Sequence, residues 1–193
     1  MLFRSSRDMR QRSLGEGELG ISQPDLAERA LAHVAACVGA ASYQPRRERV
    51  ARLRLELSAA PERARTLGGC LFMPWRRRIL VLRELAAAEP PLRLEPGESQ
   101  RWDHRFRACV PANADRVFTL DYLGRAAAAL PRQLAAAASD LPRLAFSALP
   151  AFYDQGGVAA VPALGYRQAA EMVLPQLIFC PANPLTNAGF TVV

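Results

Sequence analysis

Arginine is the residue type with the most chemistry to offer in this chain, and it gathers at three places. Arg76, Arg77 and Arg78 stand in a row directly after Trp75. Arg46, Arg47 and Arg49 open a second basic run that continues through Arg52 and Arg54, with Glu48 as its one acid. Farther along, Arg105 and Arg107 alternate with Phe106 and Ala108. A guanidinium is a planar fork of N–H donors that grips phosphate through two bonds at once, and an adjacent indole can stack on a base or sugar. Arg46, Arg47, Arg49, Arg76, Arg77, Arg78, Arg105 and Arg107 are therefore the candidate phosphate contacts of a nucleic-acid interface. The same residues also read as ordinary solvated surface. Glu48 and Glu56 each lie four residues from Arg52, the spacing at which helical charges pair.

Catalytic chemistry is harder to find. No S-G-G-x-D-S loop, Walker loop or G-x-G-x-x-G follows a predicted strand, and the Gly68-Gly69 pair is too short to cradle a nucleotide phosphate. No serine has a nucleophile-elbow context. His104 lies five positions from Cys109, an odd spacing that puts the two on opposite faces of a strand. All 25 basic residues are arginine, so a Schiff-base lysine and a phosphate-gripping lysine are both excluded. Four cysteines without a C-x-x-C, and only two histidines, point away from a zinc cluster. No catalytic residue, metal ligand or cofactor is assigned to this chain.

The arginines need elements to position them. Ser22 or Gln23 caps a predicted helix with Pro24 in its first turn, and Leu26, Ala30, Val34, Cys37 and Val38 recur at helical spacing before Gly39 closes it. Tyr43-Gln44-Pro45 breaks the chain, and a second helix is predicted from about Arg46 to Ser58 with Val50, Leu53 and Leu57 on one face. Cys70 to Met73 and Ile79 to Arg83 read as two strands, with the Trp-Arg run as their hairpin connection. From Arg101 to Val110 the chain alternates. Trp102, His104, Phe106, Ala108 and Val110 share an apolar face, while Arg101, Asp103, Arg105 and Arg107 share a polar one. Arg116 to Tyr122 is a further strand, Arg125 to Ser139 an Ala-rich helix bent at Pro131, and Asp140 to Phe152 holds a short helix. An apolar strand follows Gly156-Gly157, and Leu174 to Val193 reads as edge strands and loops.

The fold class expected is α+β: an N-terminal helical module, then a small mixed β-rich domain with one or two helices. The divisions expected are a disordered tail or remnant over residues 1–22, a helical module over 23–66 and the β-rich domain over 67–193. A chain of 193 residues with 50% hydrophobic and 22% charged residues can bury one good core or two small ones. The net charge of +7 favours anionic partners. GC-rich coding, which raises Arg, Ala, Leu and Pro together, accounts for the basicity equally well. The start M-L-F-R-S-S-R-D-M-R has no apolar core and no run reaches membrane-spanning length, so a cytoplasmic protein with reduced thiols is expected.

Several phrases, in order, resemble the C-terminal half of bacterial tRNA(Ile)-lysidine synthetases. They are Tyr43-Gln44-Pro45-Arg46-Arg47-Glu48-Arg49, Arg65-Thr66-Leu67-Gly68-Gly69-Cys70 and Trp102-Asp103-His104-Arg105-Phe106. Ser147 to Asp154, Val158 to Gly165, and Pro184-Leu185 with Gly189 to Val193 complete the set, so the resemblance covers residues 24 to 193. It departs from the family at His104, where a glycine is expected, and over residues 1–22, which match nothing. The resemblance implies tRNA processing: ATP-dependent adenylation of the wobble cytidine of an isoleucine tRNA, then attack by free lysine to give lysidine. ATP and magnesium belong to the N-terminal domain of that family, whose loop is missing from these residues. The C-terminal part is implied to dock the tRNA body through phosphate and shape contacts. The alternatives are a non-catalytic truncated product, or a protein-interaction module docking on a separate catalytic subunit. Neither DNA nor a membrane is an expected partner.

Overall fold

The computed structural model describes residues 2–4, 23–60, 62–76, 78–130 and 141–185. It is an α+β chain of two compact units. One runs to Glu84 and takes in Ala182–Leu185; the other runs from Leu85 to Pro181.

The first unit builds its core from two helices and one sheet. Helix α1 is Gln23–Val38 and helix α2 is Arg47–Ala59. Strands β1 (Leu2–Arg4), β2 (Arg65–Leu67), β3 (Cys70–Trp75) and β4 (Arg78–Arg83) form an antiparallel sheet in the order β1-β4-β3-β2. Leu31, Val34, Ala35 and Val38 lie on one stripe of α1, and Val50, Leu53 and Leu57 on one stripe of α2. These stripes close over Cys70, Phe72 and Val81 of the sheet. Phe72 and Val81 are ladder partners, so both project from the face that the helices cover. Arg83 is 7% exposed, and its Nη1 donates to the carbonyls of Gly39 at 2.8 Å and Gly69 at 3.2 Å, joining the end of α1 to the β2–β3 turn. Asn183 Nδ2 donates to the carbonyls of Ala41 and Ser42, which anchors the 182–185 segment in this unit.

Two expectations change here. The division expected after residue 66 falls inside the first unit, because β3 and β4 complete the core of α1 and α2. The tail expected over residues 1–22 begins with a strand: Leu2, Phe3 and Arg4 pair with Leu80, Ile79 and Arg78. Residues 5–22 lie outside the described residues.

The second unit joins two antiparallel sheets over one core. Strands β5 (Leu92–Leu94), β8 (Phe118–Tyr122), β9 (Pro150–Asp154), β10 (Gly157–Val161) and β11 (Tyr166–Arg167) run in the order β11-β10-β9-β8-β5. Strands β6 (Ser99–Trp102), β7 (Phe106–Cys109) and β12 (Gln176–Phe179) run in the order β12-β7-β6. Alternate residues supply the core: Phe118, Leu120 and Tyr122 from β8, and Phe106 and Ala108 from β7, with Trp102, Phe152 and Leu177. A bulge between Val158 and Ala160 lets the successive residues Ala159 and Ala160 both be buried. A 3-10 turn at Gly124–Ala129 and a short helix α3 (Arg143–Ser147) stand where helices were expected; the bend expected at Pro131 lies outside the described residues.

The alternating run from Arg101 to Val110 is not one strand. It reverses at Asp103 and His104, whose φ angles are +48° and +52°, and the turn closes through Arg105 N–H to the Trp102 carbonyl at 3.2 Å. Asp and His tolerate this left-handed region better than most side chains. His104, like Asp103, takes a conformation that glycine favours.

Candidate nucleic-acid interface

The β3–β4 hairpin brings Trp75, Arg76 and Arg78 together at its tip. Trp75 and Arg78 are ladder partners at the last register position, and so share one face of the sheet. Arg76 has φ +47°, and its guanidinium carbon lies 5.5 Å from the centroid of the Trp75 ring. Arg76 and Arg78 are exposed, and Trp75 is half-buried. Arg77 lies outside the described residues.

The second basic run divides by its partners. Arg47 pairs with Asp25, and its Nε lies 3.6 Å from Glu28; Arg54 Nε meets Glu28 at 3.1 Å. Arg52 and Arg65 both bond Glu56, at 2.8 Å and 3.0 Å. Hydrogen bonding from Arg52, with a further bond from Arg65, holds the Glu56 carboxyl below the usual range. Arg47 and Arg54 tie α2 to α1 and Arg65 ties it to β2, while the Arg47 and Arg52 side chains stay exposed and paired. Arg46 and Arg49 are exposed, with no ion pair among the described residues. They lie three positions apart at the start of α2, neighbours across its first turn. Between the helices lies an open cavity of about 320 Å³ lined by Asp25, Glu28, Arg29, Gln44 and Arg47, where acids and bases face each other. It offers no net charge for an anion to seek.

In the second unit the two candidates part company. Arg107 is exposed on β7, and its ladder partner on β6 is Arg101, which is also exposed. Alternation along the sequence places Arg101 on the polar face without marking it as a contact; the register makes it the neighbour of Arg107. Arg105 is 5% exposed and cannot be a surface phosphate contact. Because the chain turns at residues 103 and 104, Arg105 points inward. Its Nε donates to Asp103 Oδ2 at 3.1 Å, it also bonds the Tyr122 hydroxyl, and its guanidinium lies 5.0 Å from the Phe106 ring centroid. Asp103 accepts the Tyr122 hydroxyl at 2.5 Å and the Glu89 N–H at 3.1 Å. Burial raises the pKa of Tyr122 despite the nearby Arg105 charge, and its hydrogen bond to Asp103 raises it further. Every buried side-chain polar atom among the described residues has a partner. This cluster is a satisfied network that fixes the turn, with no group left over for a substrate.

No group of three or more His, Cys, Asp or Glu that could hold a metal ion gathers among the described residues. Their four cysteines are not in disulfides, and none of their helices is long and apolar enough to cross a membrane. In comparisons with known proteins, no family model, no curated protein and no solved structure matches this chain.

Proposed function

We propose that this chain binds tRNA, as the tRNA-docking part of a lysidine synthetase acting on an isoleucine tRNA, with the ATP-dependent step carried out by another domain or subunit. The observation that carries the reading is the survival of a limited set of exposed arginines after internal pairing is subtracted. Arg46, Arg49, Arg78 and Arg107 have no ion pair among the described residues, and Arg76 stands with Trp75 at a hairpin tip. The ordered phrases from Tyr43 to Val193 supply the family and the substrate. Separate guanidinium groups suit sequence-tolerant contact with phosphates along a folded RNA.

The test is a titration of isoleucine tRNA with the chain at a series of salt concentrations. With about four to five phosphates engaged, log affinity falls against log salt with a slope of roughly −3 to −4.5. An affinity that ignores salt, or no binding at low salt, overturns the reading. Retention of a protein subunit in place of tRNA would move the function to protein docking.

A further inference from the structure

We propose that the tip of the β3–β4 hairpin holds one unpaired RNA nucleotide, with the base stacked on Trp75 and the phosphate held by Arg76 and Arg78. This rests on the RNA-binding reading above and names the kind of RNA that the tip takes.

The two tryptophans of the chain have different surroundings. Trp102 is 2% exposed, sits in the core of the second unit, and donates its indole N–H to the Pro90 carbonyl at 2.9 Å. Trp75 belongs to none of the apolar cores among the described residues. It ends β3 at the hairpin tip with cations on two sides: Arg76 over its ring and Arg78 across the ladder.

Arg76 adds a second argument. At φ +47° a glycine would sit without strain, whereas an arginine is strained there. GC-rich coding does not explain the choice, because glycine codons are as GC-rich as those of arginine. What arginine adds is the guanidinium, and it lies over the indole. An aromatic ring flanked by arginines is the arrangement that single-stranded nucleic acid uses: the ring takes the face of a base, and the cations take the backbone. In the nucleotide-bound state the base replaces Arg76 on the ring, and the guanidinium turns to the phosphate.

The geometry favours an unpaired nucleotide over a base pair. Inside a duplex each base face is covered by its neighbours, so an indole reaches a face only where the strand is unstacked. A tRNA offers such nucleotides in its loops and at its 3′ end.

The experiment titrates the full chain with a short single-stranded oligoribonucleotide, and separately with the same strand annealed to its complement. Trp75→Ala is expected to weaken single-strand binding about tenfold and leave duplex binding within about twofold. Trp75→Phe keeps most of the single-strand affinity, and Arg78→Ala weakens both. Tryptophan emission falls on single-strand binding, and that change is absent in Trp75→Ala, where Trp102 is the remaining fluorophore. If Trp75→Ala weakens both RNAs alike, or neither, the nucleotide site is overturned while RNA binding stands. If neither RNA binds the unaltered chain, both readings fall.

Discussion

The Tyr122 hydroxyl donates to the Asp103 carboxylate at 2.5 Å, and Asp103 has no solvent exposure. Arg105 is the cation that makes this buried carboxylate tolerable, with side-chain exposures of 6% and 0% for the pair. Removing one partner of a buried pair strands the other charge, at a cost of about 3–5 kcal/mol. Arg105→Met is therefore expected to destabilise the second unit by that amount in denaturant melts. Tyr122→Phe removes one hydrogen bond to a charged group and should cost about 1–3 kcal/mol. tRNA affinity, measured where Arg105→Met is still folded, stays unchanged. A variant that lost affinity and kept its stability would return Arg105 to the surface.

Gly39 makes the tightest backbone approach in the first unit. A Cβ there would lie 1.9 Å from the Gly68 carbonyl oxygen and 2.6 Å from that of Ala35. Both obstacles are backbone, so relief requires α1 and the β2–β3 turn to move apart, which disturbs the Arg83 bond to Gly39. Gly39→Ala is expected to destabilise this unit by about 1–3 kcal/mol, the range for overpacking. An unchanged denaturation midpoint would show that α1 ends less closely against the turn.

Much of the first unit was legible because its signals are local. Pro24 and Pro45 punctuate the helices, and Val50, Leu53 and Leu57 mark one face, but the strand β2 that precedes Gly68-Gly69 carries no such local signal. Its division from the second unit was not legible, since nothing local says that Phe72 and Val81 pack under α1 and α2. The site was half legible for the same reason. The β3–β4 hairpin follows from neighbouring residues, but the pairing of Arg47 with Asp25 in another helix, and the burial of Arg105 against Tyr122 in another sheet, do not. The run Trp102 to Val110 misled by keeping a strand-like alternation through a turn. Asp103 and His104 fit both patterns, and only their positive φ tells them apart.

Alkaline pH should report on the buried tyrosines of the second unit, and the chain has no lysine to titrate alongside them. Tyr153 donates its hydroxyl to the carbonyls of Tyr122 and Leu123, at 3.1 Å and 3.3 Å. Burial, with a contribution from the Asp121 charge, pushes its pKa up to about 12 from the ordinary tyrosine value of about 10. A group whose pKa is raised by folding contributes its stability in full below the unfolded value. That contribution is lost as pH rises through the folded value. Stability should therefore begin to fall above about pH 10, and the Tyr153 share should be gone above about pH 12. Spectrophotometric titration of tyrosinate should lose a component near pH 12 in Tyr153→Phe, with a shallower alkaline fall in stability. A Tyr153 that ionised near pH 10 in the folded protein would contradict this.

The exposed arginines make separable predictions for tRNA binding, because each phosphate they neutralise adds its own increment to the salt dependence. Replacing Arg46, Arg49, Arg78 or Arg107 by alanine should reduce the log–log slope by roughly 0.7–0.9 for each phosphate no longer neutralised. Arg52→Ala is the control. That side chain is exposed, yet bound to Glu56 one helical turn away, and Arg65 still holds Glu56 when it is removed. Arg52→Ala should therefore weaken binding slightly at low salt, through the loss of one positive charge, without removing a full increment of slope. Filter binding across a salt series separates the cases, since a direct phosphate partner changes the slope and a distant charge mainly shifts the curve. If the four variants gave the same slope as the unaltered chain, the arginines would be surface charge alone, and the tRNA would be held elsewhere or not at all.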